Sequence, residues 1–409
     1  MQSSAVTNVR LNDQSFWAAG DAVRREGFAA LREHDPVHWV KDGHNPAESF
    51  WAVTSYNDVR RVSRGPEVFV SGQGIHLHDM PNELAEYMGG MIVMDGQRHA
   101  RLRRIVNRAF TPRAVARLVS DIRAAAHDIV DEAVLTHGSA EFDFVEHIAA
   151  KLPIRVICTL LGVPASDHAR MIELSDVLIT VGDPETHAGG AQAMLSAARE
   201  LHDYAEALAT ERIADDRDDL TTVLLRAEVN GDRLTIAEFG NFFQLLVAAG
   251  NETTRNALSH GVVALTAHPE QRVAWLADIP GVASTAAEEI VRYSSPVISF
   301  RRTAVADTTL GGQAIAAGEK VVVFYNSANR DSAQFNDPDE FRVRRTPNDH
   351  VGYGGGGPHF CLGAHLARVE IEAMFTALLT TAPGLAASGA PDVAPSSFVH
   401  SVRRLPCHL

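Results

Sequence analysis

From Asp95 to His268 apolar residues recur at three- and four-residue spacing, which predicts a succession of helices with one buried face. Breaks fall at Thr111-Pro112, at Gly162-Val163-Pro164 and in the glycine-rich 182–190 stretch. Within the run, LTIAEFGNFFQLLVAAGNETTRNALSHGVVALTAHPE (234–270) has Thr235 and Glu238 at capping-box spacing and Pro269 as a terminator. The spacing predicts a helix over 236–268, about 50 Å long and able to cross a whole domain.

Strand patterns sit on either side. PVHWV (36–40) and SFWAVTS (49–55) carry the aromatic and β-branched residues of a half-buried sheet. The segment 300–326, with Gly311-Gly312 at its centre, predicts a hairpin. A loop-rich stretch runs to Gly357, followed by a helix from about Leu362 to Leu379 and a strand-like tail. No internal repeat, low-complexity tract or linker interrupts the chain, so one domain over 1–409 is expected, mainly α with a minor β portion.

Composition narrows the partners. Forty-five per cent hydrophobic residues supply a large core, and a net charge of −14 opposes nucleic acid or an anionic bilayer as a partner. Neither a signal-like leader nor an apolar run of ~20 residues is present, so no membrane anchor and a cytoplasmic location are expected. Three cysteines make no disulfide framework: Cys158 lies in the apolar IRVICTLLGV, Cys407 is two residues from the end, and Cys361 has unusual neighbours.

Those neighbours are HVGYGGGGPHFCLGAHLARVE (350–370), a side-chain-poor loop, then Cys361, then a helix. Glycines let a backbone pass close to a flat cofactor, and loop amides and the helix N-terminus favour a negative sulfur. Competing readings are weaker. Gly352, Gly354 and Gly357 match G-x-G-x-x-G, but Pro358 and His359 stand where a helix should open. Zinc on His350, His359, Cys361 and His365 fits no usual spacing, and an inert buried cysteine leaves four successive glycines unexplained.

This loop resembles that of the cytochrome P450 superfamily, Phe-Gly-x-Gly-x-His-x-Cys-x-Gly. Gly357, His359, Cys361 and Gly363 match in spacing, and Leu366-Ala367-Arg368 with Glu370 matches the family's residues just after the cysteine loop. Two departures are Tyr353 in place of phenylalanine and one extra residue between it and Cys361. The resemblance implies the P450 fold with its long central helix over haem b, and Cys361 as the axial iron ligand.

Further matches are spread along the chain. Mid-helix Gly250, with Thr253 and Thr254 able to bond back to the backbone, predicts a local opening in the long helix. By resemblance, Ala249-Gly250-Asn251-Glu252-Thr253-Thr254 is the oxygen-activation motif, with Glu252 relaying protons and Thr253 steadying oxygen during its activation. Glu289 and Arg292 match the family's Glu-x-x-Arg pair, with Arg345 as the expected third partner in a structural role. His99, Arg103, Arg302 and His359 are the expected partners of the haem propionates. Strand alternation turns Arg301 to the opposite face from Arg302.

One inference needs no family. At 100° per residue His99, Arg103, Val106 and Phe110 share a helix face, while Arg101, Arg104 and Arg108 lie nearly opposite. Six arginines and no acidic residue lie between 98 and 113, a basic patch that suits an acidic ferredoxin-type donor, unless it is only a solvated face. No flavin or nicotinamide fingerprint appears, so electrons from NAD(P)H are expected through a separate ferredoxin and its reductase. A monomer is expected.

Apolar segments expected at the distal haem face are Met88 to Met94, Leu245 to Ala249, Pro296 to Phe300 and Phe398, with Ile92, Leu245, Ala249, Val297, Ile298 and Phe398 as pocket candidates. AAGNETTRNALSHG and GGGGPHFCLGAHLAR resemble the bacterial subgroup that hydroxylates terminal methyl groups of sterol side chains and methyl-branched lipids. A terpene or polyketide hydroxylase is the alternative, and a haem protein without oxygenase activity a more distant one.

Overall fold

The computed structural model describes residues 9–79, 90–179, 190–228 and 231–409, so most of the 182–190 break and Met88 lie outside the described residues. The helices of nine residues or more among these are α1 (Asp21–His34), α2 (Tyr56–Arg64), α3 (Gly96–Val106), α4 (Val119–His137), α5 (Lys151–Leu161), α6 (His168–Ile179), α7 (Gly190–Ala214), α8 (Ile236–Ala267), α9 (Ile279–Ser294) and α10 (Ala364–Thr381). The strands are β1 (Val37–Val40), β2 (Phe50–Val53), β3 (Phe69–Val70), β4 (Phe142–Asp143), β5 (Ser299–Ala304), β6 (Thr308–Leu310), β7 (Gln313–Ile315), β8 (Lys320–Phe324), β9 (Ala386–Ala387), β10 (Asp392–Val393), β11 (Val402–Arg404) and β12 (Pro406–His408). The chain is mainly α with a minor β portion, as predicted.

The predicted long helix is α8. Thr235 Oγ1 accepts from Glu238 N at 3.1 Å, and Glu238 Oε2 accepts from Thr235 N at 3.0 Å, closing the capping box. Twenty of its residues are buried, nearly all round the helix, because α5, α6, α7, α9 and α10 pack around it in one continuous core. Gly162, in the left-handed conformation, stops α5 as expected.

The main sheet has the order β1-β2-β8-β5-β3, antiparallel except for β2 beside β8. The predicted hairpin is two nested pairs: β6 with β7 across Gly311-Gly312, and β5 with β8 outside it. Strand β8 is buried at every position, with Val321 and Val323 in one apolar cluster and Val322 and Phe324 in another. Its unbroken apolar run therefore reflects burial on both faces. The C-terminus is tied down: Cys407 in β12 pairs with Phe142 and Ala387 and is fully buried.

A buried carboxylate organises the loops after β8. Glu289, inaccessible to solvent, accepts from Arg292 Nε at 2.7 Å and Nη2 at 2.8 Å, Arg345 Nε at 3.0 Å, Asn348 Nδ2 at 3.2 Å and Arg342 N at 2.8 Å. Arg292 in turn donates to the carbonyls of Asn329, Pro338 and Glu340, and Arg345 to those of Asn336, Asp337 and Glu340. One acid thus binds the irregular 329–348 segment to α9. Removing a partner from such a buried ionic group costs about 3 to 5 kcal/mol. Glu289→Ala is expected to lose that much stability in chemical unfolding and to purify with little of the haem that the resemblance implies; a wild-type unfolding midpoint would refute this.

Candidate active site

A cavity of about 220 Å³, partly open to solvent, lies between α8, α3, the 352–363 loop, the start of α10 and residues 296–300. The Cys361 thiol faces it. The loop reaches this position through Gly354 N donating to Val351 O and Cys361 N donating to Tyr353 O, both at 2.9 Å. Gly363 then N-caps α10, two residues later than the sequence pattern suggests. Burial pushes the Cys361 thiol up, opposed by the Gly363 amide and by the charges of Arg103 and Arg368. Cys158, in the core, is held as a thiol, its pKa pushed up to about 12 by burial.

The glycines answer to protein rather than to open space. A Cβ on Gly355 would come within 2.5 Å of Ser63 Oγ, and one on Gly357 would strike the Ser63 carbonyl. The loop is therefore wedged against α2, with Gly356 and Gly357 in the left-handed region. Close approach to a flat cofactor, expected from the sequence for the whole stretch, falls to Gly352, Gly354 and Gly363, which line the cavity, and at Gly363 nothing lies within 4 Å of where a Cβ would stand. Gly250 shows the same logic: its missing side chain admits Ile157 of α5.

A basic corner closes one side. His99 and Arg103 line the cavity from α3, and the His99 and His359 rings lie 4.3 Å apart. Arg103 Nη2 donates to Phe360 O at 2.6 Å, and Arg302 Nη1 donates to Arg301 O at 2.7 Å. Among the described residues no carboxylate pairs with either guanidinium. Burial holds Arg103 and Arg302 below their ordinary range, and burial with the Arg302 charge pushes His359 down to about 3. Arg302 stands behind His359 rather than on the cavity wall, and Arg301 is occupied elsewhere, with Asp79 and the Gln73 carbonyl.

On α8, Ala249, Gly250 and Thr253 face the cavity. The helix is continuous, so the opening expected at Gly250 is not a break; Thr253 Oγ1 donates to Ala249 O at 2.8 Å. Glu252 is on another face, fully buried and off the cavity wall. Its Oε1 accepts from Asn256 Nδ2 at 2.9 Å and Ser401 Oγ at 2.6 Å, and Arg255 pairs with its other oxygen. Arg255 also pairs with Asp176 at 2.8 Å, whose carboxyl burial pushes up to about 6.

Of the pocket candidates, Ile92, Leu245, Ala249 and Val297 line the cavity. Ile298 does not: strand alternation turns it into the cluster with Val322 and Phe324 on the far side of the sheet. Phe398 lies a layer back, 5.4 Å from Phe300. Sequence reasoning did not assign Ile157, Phe242 or Glu370 to the wall. The signal for Glu370 was an acid in an apolar helix face. It is fully buried, and one of its oxygens has no hydrogen-bond partner.

An apolar slot with a thiol beneath, and at one corner the Arg103 guanidinium on the wall and Arg302 behind it, neither paired with a carboxylate, suits a planar iron porphyrin: sulfur for the metal, cations for two propionates, and no side chain at Gly363. The zinc reading finds no support, since no three His, Cys, Asp or Glu cluster as a metal site among the described residues. The class is that of haem-thiolate monooxygenases.

Comparison with known proteins agrees. The Cytochrome P450 family model matches residues 283–381. The methyl-branched lipid omega-hydroxylase of Mycobacterium tuberculosis is 44% identical over 405 residues, covering 98% of this chain and 94% of that protein. The steroid C26-monooxygenase of Mycolicibacterium smegmatis is 39% identical over 387 residues, 92% and 88% of the two chains. A Mycobacterium marinum cytochrome P450 solved with pseudoionone superposes with a TM-score of 0.92 at 44% identity, covering 97% of each chain. The protein belongs to the cytochrome P450 family, and is a monooxygenase that uses haem-thiolate, O2, redox partners and a lipophilic substrate. No described helix is long and apolar enough to cross a membrane.

Burial alone raises Glu370 to about 8 from an ordinary 4.5. Between these values the unfolded chain releases a proton that the folded chain keeps, so this group lowers stability as pH rises. Glu370→Gln is expected to gain stability over wild type progressively from about pH 5 to about pH 9 in urea unfolding. Parallel pH profiles for the two proteins would count against a buried neutral acid.

Proposed function

We propose that this enzyme hydroxylates a terminal methyl group of a methyl-branched lipid. The observation that carries the reading is near full-length similarity to the omega-hydroxylase, combined with a mostly apolar cavity over Cys361. A sterol side chain is the second reading, supported by the steroid C26-monooxygenases. Both substrates present a branched hydrocarbon end that an apolar wall selects by shape. The terpenoid and polyketide alternatives draw on the structures solved with pseudoionone and from a bacillaene pathway.

In this reading the cofactor would be haem b, held by Cys361 with the Gly363 amide on its sulfur, with His99, Arg103 and His359 at the propionates and the Arg302 charge behind His359. Bound there, it would supply oxygenase chemistry in which dioxygen, two electrons and two protons give one oxygen atom to a C–H bond and release the other as water. The chain does the rest. Ile92, Leu245, Val297 and Phe300 hold the substrate end over the cavity floor and keep bulk water out. Thr253 turns its hydroxyl from the Ala249 carbonyl toward the reacting oxygen and passes on a proton. Glu252, with Arg255, Asn256 and Ser401, supplies that proton from behind α8.

The chain then acts as a cytoplasmic, single-domain monomer, with electrons from NAD(P)H through a ferredoxin reductase and a ferredoxin. The docking face is the exposed outer surface around α3: Arg98, Arg104, Arg108 and Arg113. Arg101 is withdrawn from it by Glu238 at 2.7 Å and Asp232 at 3.6 Å.

Methyl-branched lipids, sterols and terpenoids are to be screened by the optical shift of the haem and by product analysis. A terminal alcohol from the branched lipid is expected, and its absence with turnover of another class would sink the assignment. On that substrate Thr253→Ala is expected to bind normally while diverting most reducing equivalents to peroxide; tight coupling would remove Thr253 from the proton path. Arg104→Glu with Arg108→Glu is expected to slow reduction by ferredoxin at least tenfold at low salt and to flatten its salt dependence. Unchanged rates would exclude this docking face.

A further inference from the structure

A second, much smaller cavity lies between α1 and the C-terminal end of α9 and shares no wall residue with the cavity at Cys361. Its wall carries four arginines, Arg24, Arg25, Arg32 and Arg330, against one acid, Asp21. Arg24 and Arg330 are only 7% exposed. Buried cations on this scale need compensating charge, and the protein supplies little of it.

Each guanidinium has some partner, but few are acidic. Asp21 pairs with Arg25 and stands 3.7 Å from Arg24, so one carboxylate serves two guanidiniums. Arg330 reaches Asp339 at 3.1 Å and the Tyr293 carbonyl at 3.0 Å. Arg24 makes longer bonds, 3.3 Å to the Trp17 carbonyl and 3.5 Å to His400 Nε2. Arg32 donates to Ser327 Oγ at 3.0 Å. Asp331, the further acid near Arg32, is already engaged by the amides of Tyr56 and Ala333.

Two atoms are left bare. Arg25 Nε is buried without a hydrogen-bond partner, and so is Asn326 Oδ1. Reversing the Asn326 amide, an assignment no heavy-atom position fixes, would present its NH2 to the cavity. Burial holds Arg24 and Arg32 low and, with the Arg25 charge, pushes Arg330 down to about 10, while at Arg25 the pull of Asp21 and Tyr293 outweighs burial and raises the guanidinium.

We propose that this arginine-lined cavity is a binding site for a compact phosphate-type oxyanion, separate from the oxygenase site. Guanidiniums arriving from different directions match a tetrahedral acceptor with oxygens on every side, whereas a carboxylate presents one planar edge to one fork. Inorganic phosphate and the phosphomonoester end of a small metabolite share this chemistry.

The test uses the haem-loaded enzyme titrated with inorganic phosphate, glycerol 3-phosphate, acetate and sodium chloride at matched ionic strength. Calorimetry and the unfolding temperature are the readouts. Saturable binding of phosphate, at least tenfold tighter than acetate, is expected, with a rise in unfolding temperature that chloride does not give. Tighter glycerol 3-phosphate binding identifies an organic phosphate as the occupant, and equal binding identifies the inorganic ion. Arg25→Gln and Arg32→Gln, both at partly exposed positions outside the oxygenase cavity, are each expected to weaken phosphate at least tenfold and leave the haem spectrum unchanged. Coincident phosphate and chloride series, or wild-type affinity in both variants, would overturn the site.

Discussion

The buried Glu289 carboxylate is the constraint on which the functional geometry hangs. It holds Arg292, Arg345, Asn348 and the Arg342 amide at once, and the two arginines extend its reach to five backbone carbonyls between 329 and 340. That segment leads directly into the 350–361 loop, whose own internal bonds end at Cys361 N. The position of the thiol is thus fixed from behind by ionic hydrogen bonds that no solvent competes for. In front it faces only a cavity. Rigidity on one side and open space on the other is what a ligand to a prosthetic group requires.

Buried charge in this protein comes in two kinds, and the difference separates scaffold from site. Glu289 and Glu252 are each compensated by an arginine and by hydrogen-bonding partners inside the chain. Arg103 and Arg302 have carbonyl partners and no carboxylate, and Glu370 has an oxygen with no partner at all. A folded chain that tolerates incompletely compensated groups near one cavity is arranged for something the polypeptide does not contain. The arginine pocket beside α1 obeys the same rule with a different ligand chemistry.

The features legible in the sequence were local. The capping box and Pro269 bound α8 to within a residue, since both signals act within one turn of the helix end. The face of α3 holding His99 and Arg103 came from helical period alone. The hidden features were set by distant partners. Arg64 of α2 meets the Gly355 carbonyl across 291 positions, so the reason for glycines at 355–357 lies in a helix that no loop motif mentions. Val297 and Ile298 are equally apolar, and only the register of the sheet sends one to the cavity and the other to the opposite core. Arg101 looked like part of a free basic face until Glu238, serving the cap of α8, claimed it.

The division of labour between the two faces of α3 rests on these same contacts. Its inner face is committed to the cavity by His99 and Arg103, and the Arg103 bond to the Phe360 carbonyl ties it to the loop one residue before Cys361. Its outer side keeps Arg104, and Arg108 in the turn just after the helix, in solvent. A partner bound there sits one helix diameter, about 10 Å, from the residues that would cradle the haem. The pairing of Arg101 with the α8 cap also fixes α3 against the long helix, so the basic outer side of α3 and the cavity face of α8 are held in register by one ion pair.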